Sequence, residues 1–197
     1  MVFGLNTNLI NEMEEYAKIN NVPIMIKDTL FYIDDMIKKE EYKSVLEIGT
    51  AIAYSSIYLR SNNDIKVTSI ERDIERYNVA VSNVKKSNLS DINLIYGDAL
   101  MVDIKDKYDL IIIDAAKSQN IKFFEKYKNN LNDNGTIIVD NMLFHGFVGK
   151  SSTIKSRNLR GLVRKLEAFH EYIDNQNEYS VKHIDIGDGI IVCKKNI

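Results

Sequence analysis

The sequence predicts an α/β domain built on a mostly parallel sheet, and three observations carry that prediction. Short apolar runs alternate with amphipathic helical stretches between residues 44 and 139. A strand followed by a helix needs a crossover, which makes neighbouring strands parallel and covers both faces of the sheet. A glycine stands directly after the first strand, where the chain turns into a helix. The end is different: two apolar strands flank Gly187-Asp188-Gly189 and read as a β-hairpin, adding an antiparallel edge. With five strands before it, the hairpin completes a seven-stranded sheet with helices on both faces.

Each element has its own justification. Leu9, Ile10, Met13, Tyr16 and Ala17 recur at helical spacing over 7–19, and Leu30, Phe31, Ile33, Met36 and Ile37 over 28–40. Ser44-Val45-Leu46-Glu47-Ile48 is the first strand, with a helix around 54–61. Lys66 to Ile70 is the second strand, 74–87 the next helix, and Ile92 to Tyr96 the third strand. Tyr108 to Ile113 is the fourth, followed by a helix over 119–130, and Gly135 to Val139 is the fifth. Leu159, Leu162, Val163, Leu166 and Phe169 mark a helix over 153–173. Tyr179 to Ile186 and Ile190 to Lys194 are the arms of the hairpin.

The 197 residues suffice for one such domain with a full core and are tight for two. Pro23 is the only proline, and no repeat or Gly/Ser-rich linker divides the chain, so residues 1–197 read as one domain, with 1–43 as N-terminal helices contributing to the site. Met1 to Asn6 lack a basic region followed by an apolar one, and no apolar run approaches the ~18 residues of a membrane span. Cys193 is the only cysteine, which excludes an internal disulfide and a cysteine-based metal site. A cytoplasmic protein without membrane partners is expected. A net charge of −2 argues against a uniformly nucleic-acid-coating surface. It leaves room for a local patch: Lys150, Lys155, Arg157, Arg160, Arg164 and Lys165 are opposed over 150–171 only by Glu167 and Glu171.

In an open sheet of this kind, ligands bind beyond the carboxyl ends of the strands. After the first strand, Gly49 lets the backbone approach a ligand, and the following helix start offers N–H groups to an anion. The third glycine of the dinucleotide fingerprint is missing, which makes a nucleotide-linked oxidoreductase the weakest reading. Glu71 ends the second strand, where a carboxylate can accept both hydrogen bonds of a ribose diol. Gly97-Asp98-Ala99 ends the third, a small residue beside an acid that suits a flat base. Asp114 ends the fourth and Asp140-Asn141 the fifth. Two carboxylates and an amide carbonyl suit a hard cation such as Mg2+. His145 follows in a glycine-containing loop within reach of a substrate, whereas His170, His183 and Cys193 sit in helix and strand patterns as structural residues.

Leu46-Glu47-Ile48-Gly49-Thr50-Ala51, Ser69-Ile70-Glu71, Gly97-Asp98-Ala99, Ile113-Asp114-Ala115-Ala116-Lys117, Val139-Asp140-Asn141 and the Ile186-Gly187-Asp188-Gly189 turn together resemble the cation-dependent O-methyltransferases of the catechol and caffeoyl-CoA type. The resemblance spans essentially the whole chain. It departs at Ala53, where that family usually has glycine. It implies a Rossmann-like class I methyltransferase fold, S-adenosylmethionine as methyl donor and Mg2+ or Mn2+ as metal. Glu71 would hold the donor's ribose, and Asp98 and Ala99 its adenine. Gly49, Thr50 and Ser55 would meet its methionine end, with Glu47, Met25 and Asp114 also in the donor site. The metal ligands would be Asp114, Asp140 and Asn141, with Lys117 taking the proton of the substrate hydroxyl.

Within the family, Asn21-Val22-Pro23-Ile24-Met25 and the basic run Arg157 to Lys165 look most like a branch that methylates 5-hydroxyuridine at the wobble position of tRNA. That likeness implies a tRNA anticodon stem-loop as partner, with Lys150, Arg157, Arg160, Arg164 and Lys165 on its phosphates, and a homodimer as in relatives. Two other readings stay open: the same chemistry on a small catechol or hydroxycinnamoyl-CoA-like substrate, and a non-catalytic RNA-binding protein on the same fold.

Overall fold

The computed structural model describes residues 7–196, so the leader reading of Met1 to Asn6 lies outside the described residues. Two helices, α1 (Thr7–Asn20) and α2 (Lys27–Glu40), precede the sheet. Then β1 (Ser44–Ile48), α3 (Tyr54–Asn62), β2 (Lys66–Glu71), α4 (Ile74–Ser87), β3 (Ile92–Tyr96) and β4 (Tyr108–Ile113) alternate as expected. The chain continues through α5 (Asn120–Tyr127), β5 (Leu131–Val139), α6 (Arg157–Asp174), β6 (Tyr179–Ile184) and β7 (Ile190–Lys195).

The seven strands form one sheet in the order β3-β2-β1-β4-β5-β7-β6. β1 pairs in parallel with β2 on one side and β4 on the other, so the strand order reverses there and opens a crevice. Only β7 runs antiparallel, against both β5 and β6. The register puts Ile48 beside Ile70 and Ile113, and Ile113 beside Val139. Gly49, Glu71, Asp114 and Asp140 therefore leave the sheet along one edge. This fulfils the expected α/β architecture with an antiparallel C-terminal pair.

Alternation along the strands feeds two cores. Val45, Leu110, Ile112 and Ile138 face the layer containing α1, α2 and α3. Leu46, Ile48, Ile111, Ile113 and Ile137 face α5 and α6, where Phe124 is ringed by Phe169, Tyr172 and Tyr179 at 6.4, 6.0 and 5.3 Å between centroids. No helix among the described residues is long and apolar enough to cross a membrane.

Three boundaries differ from expectation. The helix expected over 119–130 is split into the 3-10 turn Lys117–Gln119, α5, and a second 3-10 turn Lys128–Asn130. The fifth strand begins at Leu131 rather than Gly135, because buried Leu131 pairs with Tyr108 across an irregular register and carries the polar Asn132-Asp133-Asn134 into the sheet. The helix expected from 153 starts at Arg157, because the Ser156 side chain caps it by accepting from Leu159 N–H.

Phe124 joins α5, α6 and β6 and is fully buried. Phe124→Ala is expected to lower the unfolding free energy in urea by about 3–5 kcal/mol; a loss below about 1 kcal/mol would contradict its central place.

Candidate active site

Backbone geometry brings the strand ends together. Gly49 has φ +103°, and a Cβ there would stand 2.1 Å from the Asp114 carbonyl oxygen. Only glycine lets β1 and β4 approach so closely at their ends. The turn that follows uses two alanines in the left-handed region, Ala51 (φ 47°) and Ala53 (φ 65°). This explains why glycine usually stands at the position of Ala53: the methyl group carries a local cost of about 1 kcal/mol, within a fully buried setting.

These ends enclose a cleft of ≈ 300 Å³, at the small end of the range for ligand sites. Of the residues singled out in the sequence, Met25, Gly49, Thr50, Ser55, Glu71, Asp98, Ala99, Asp114, Lys117 and Asn141 line it. Met25 enters from the segment between α1 and α2, which is anchored over the cleft by ionic contacts. The Glu14 carboxylate accepts from the Tyr54 hydroxyl at 2.8 Å and pairs with Lys27 at 2.9 Å. Arg72 and Arg76 also line the cleft and were not singled out; the position of Arg72, directly after Glu71, was the available signal.

Glu71 takes the Ala51 N–H on one oxygen at 2.8 Å and the Asp73 N–H on the other at 2.9 Å. Each oxygen keeps a lone pair for a further donor. Asp98 accepts from Leu100 N–H at 2.8 Å, which fixes the turn beside Ala99.

Glu47 is the correction. The structure does not bring it to the cleft: it is 1% exposed in β1, accepting from the hydroxyls of Ser55, Ser56 and Ser69. It positions Ser55 and Thr50, the latter through Ser69, whose hydroxyl lies 2.6 Å from the Thr50 hydroxyl. Burial pushes the Glu47 carboxyl up to about 6, against the lowering effect of the three hydroxyls.

Asp114 and Asn141 line the cleft, and Asp140 adjoins them but is buried and does not line it. The Asn141 amide nitrogen donates to Asp114 Oδ1 at 2.9 Å, and the Asn141 backbone N–H donates to Asp140 Oδ1 at 2.6 Å. Burial raises the Asp140 carboxyl, and the neighbouring Asp114 charge raises it further. Burial also raises Asp114, while Lys117 and Asn141 act the other way. Two carboxylates confined together favour a cation that restores their ionised forms. Among the described residues no three His, Cys, Asp or Glu side chains converge as a metal cluster, so a cation held here would need the Asn141 amide as its third protein donor. Turning that amide by half a rotation presents its oxygen instead of its nitrogen. The all-oxygen set then fits a hard divalent cation.

The basic residues lie outside the cleft. Lys150, Arg157, Arg164 and Lys165 are exposed and Arg160 is half-buried, donating to the Ile154 carbonyl at 3.2 Å. Arg157, Arg160 and Arg164 share one face of α6 by their spacing. The helix packs against the 3-10 turn carrying Lys117. His170 and His183 hold structure together, with their Nδ1 atoms 3.1 Å apart and His183 2.6 Å from Asp174. Cys193 is fully buried, as expected.

The O-methyltransferase family model matches residues 6–196, and the chain belongs to that family. A Staphylococcus aureus protein provisionally named a caffeoyl-CoA O-methyltransferase is 38% identical, with a TM-score of 0.89 over 95% of this chain and 92% of that one. A caffeoyl-CoA O-methyltransferase of Populus kitakamiensis is 25% identical over 92% of this chain and 82% of its own length. A Bacillus cereus O-methyltransferase solved in complex with SAH shares the fold at 23% identity, with a TM-score of 0.81 over 95% of this chain and 91% of that one.

Two predictions follow from this geometry. Gly49→Ala is expected to destabilise the fold by about 2–4 kcal/mol, because the new Cβ must displace the Asp114 backbone; a variant melting like wild type would contradict the close approach. For Glu47, the folded carboxyl titrates at about 6 against an ordinary 4.5, so the native state holds its proton longer than the unfolded chain. Stability contributed by this group is thus complete below pH 4.5 and lost as pH rises to about 6, by about 2 kcal/mol. Urea titrations of wild type and Glu47→Gln should show the wild type losing that amount relative to the variant across this window; a pH-independent difference would contradict it.

Proposed function

We propose that this chain is an S-adenosylmethionine-dependent, divalent-cation-assisted O-methyltransferase that acts on 5-hydroxyuridine at the wobble position of tRNA, giving 5-methoxyuridine. The observation that carries the substrate reading is the exposed basic face of α6, a helix that elsewhere packs against the turn bearing Lys117. The cleft residues support the donor reading, with Glu71 offering acceptors for a ribose diol, Asp98 and Ala99 flanking a base, and Gly49, Thr50 and Ser55 leaving room at the strand end.

Asp114, Asp140 and Asn141 would hold Mg2+ or Mn2+, which supplies stabilisation of a deprotonated hydroxyl and orients it. Lys117 lines the cleft three residues beyond Asp114, where its amine can receive the hydroxyl proton. Met25 and Phe123 line the cleft as apolar walls, which would help keep water from the reacting atoms. Positioning of acceptor and donor is the main contribution of the chain, since methyl transfer is a direct displacement that needs no covalent enzyme intermediate. Anticodon-loop bases can be splayed into such a cleft while Lys150, Arg157, Arg160, Arg164 and Lys165 meet the phosphates.

A second reading, the same chemistry on a small catechol or hydroxycinnamoyl-CoA-like substrate, is favoured by the names of the relatives. Incubating the protein with S-adenosylmethionine, Mg2+ and tRNA carrying 5-hydroxyuridine should add one methyl to that nucleoside by mass spectrometry, and a chelator should abolish it. Turnover of a catechol without tRNA methylation would favour the second reading and leave the basic face incidental. Arg157→Ala/Arg164→Ala should weaken tRNA binding and lower the log–log salt slope by about 2, leaving S-adenosylmethionine affinity unchanged; an unaltered slope would contradict phosphate contact by α6.

A further inference from the structure

The turn between β6 and β7 takes no part in the function proposed above, yet it is built against the residues that follow Asp140 and Asn141. Met142 N–H donates to the Gly189 carbonyl at 2.7 Å, and Leu143 N–H to the Asp188 carbonyl at 2.8 Å. His145 N–H donates to Asp188 Oδ1 at 2.6 Å. Neither neighbour of Asp188 admits a side chain. A Cβ on Gly189 would stand 2.9 Å from the Leu143 amide nitrogen, and one on Gly187 would stand 2.4 Å from the Thr29 hydroxyl. From the other side, His170 Nε2–H donates to the Met142 carbonyl at 2.9 Å.

Asp188 itself is 8% exposed. Its Oδ2 is buried without a hydrogen-bond partner, with the His145 imidazole 3.6 Å away. Its charge also reaches Asp140 and adds to the repulsion there. A buried carboxylate with one open oxygen opposes folding unless another part of the structure requires it. The segment it holds is itself strained: Asn141, Phe144 and His145 stand at φ 63°, 46° and 54°. Non-glycine residues in this region relax unless their surroundings hold them.

We propose that Asp188 is a positioning residue whose carboxylate clamps residues 142–145 and thereby fixes Asp140 and Asn141 as ligands for a divalent cation. The inference rests on the cation-site reading of the preceding subsection. The Oδ1 bond to the His145 amide is the clamp. The open Oδ2 stands 3.6 Å from the exposed His145 imidazole.

Asp188→Ala and Asp188→Asn in the full chain test this with Mn2+ affinity by electron paramagnetic resonance, SAH affinity by calorimetry, and hydrogen–deuterium exchange over 141–149. Asp188→Ala is expected to bind Mn2+ at least about tenfold more weakly. Its 142–145 amides should exchange faster, while SAH affinity stays unchanged. Asp188→Asn, whose side-chain oxygen still accepts from the His145 N–H, should recover most of both losses. If Asp188→Ala does not fold, near-native exchange and Mn2+ affinity in Asp188→Asn support the clamp, and their loss overturns it. Unchanged Mn2+ affinity in Asp188→Ala overturns the proposal, whether or not exchange accelerates. Asp188→Asn as impaired as Asp188→Ala also overturns it, since the charge rather than the clamp would then matter. Wild-type protein that binds no Mn2+ contradicts the cation reading and the metal half of this proposal. Exchange distinguishes that result from failure of the clamp, because it reports on the loop without metal.

Discussion

A Cβ on Gly49 would stand 2.1 Å from the Asp114 carbonyl oxygen, so the ends of β1 and β4 meet at a separation that only glycine permits. The contact falls where the strand order reverses, and everything on the ligand edge is measured from it. Widening it would move Asp114 away from Asn141 and carry the Lys117 turn with it. It would also shift the start of α3, whose Ser55 and Ser56 are tied to Glu47 in β1. The β2 side and the β4–β5 side of the cleft thus share one backbone constraint.

Electrostatics makes the second half of the site unstable by itself. Asp114 and Asp140 are pushed up by burial, and the Asp114 charge adds to the effect on Asp140. Lys117 offsets part of this from within the cleft. A divalent cation would offset the rest, and the Asn141 amide, turned to present its oxygen in place of the nitrogen that now donates to Asp114, would be the remaining donor. The strained loop that begins at Asn141 is consistent with a segment shaped for a ligand rather than for its own stability.

Most of the architecture was legible because it rests on periodicity. Apolar runs of period two and stripes of period 3.6 located every strand and major helix, whereas the strand order and register came only with the structure. The misplaced boundaries arose where local chemistry outweighed pattern: the Ser156 cap starts α6 at Arg157 rather than at 153, and buried Leu131 draws a polar turn-like stretch into β5. That Gly49, Glu71, Asp98, Asp114 and Asn141 would line one cleft was legible because the fold dictates where strand ends gather. Glu47 was read as a donor-site residue, whereas its three hydroxyl partners come from α3 and β2, which sequence spacing does not reveal. The clamp by Asp188 was hidden for the same reason, since it acts on residues more than forty positions away.

The central claim is that Asp114, Asp140 and Asn141 form a cation site at the carboxyl edge of the sheet. The most direct test is anomalous diffraction from crystals grown with Mn2+. A peak within coordination distance of an oxygen of each of the three side chains, with the Asn141 amide turned to present its oxygen, is the predicted result. A peak elsewhere, or none at saturating Mn2+ with Asn141 still donating to Asp114, would contradict it.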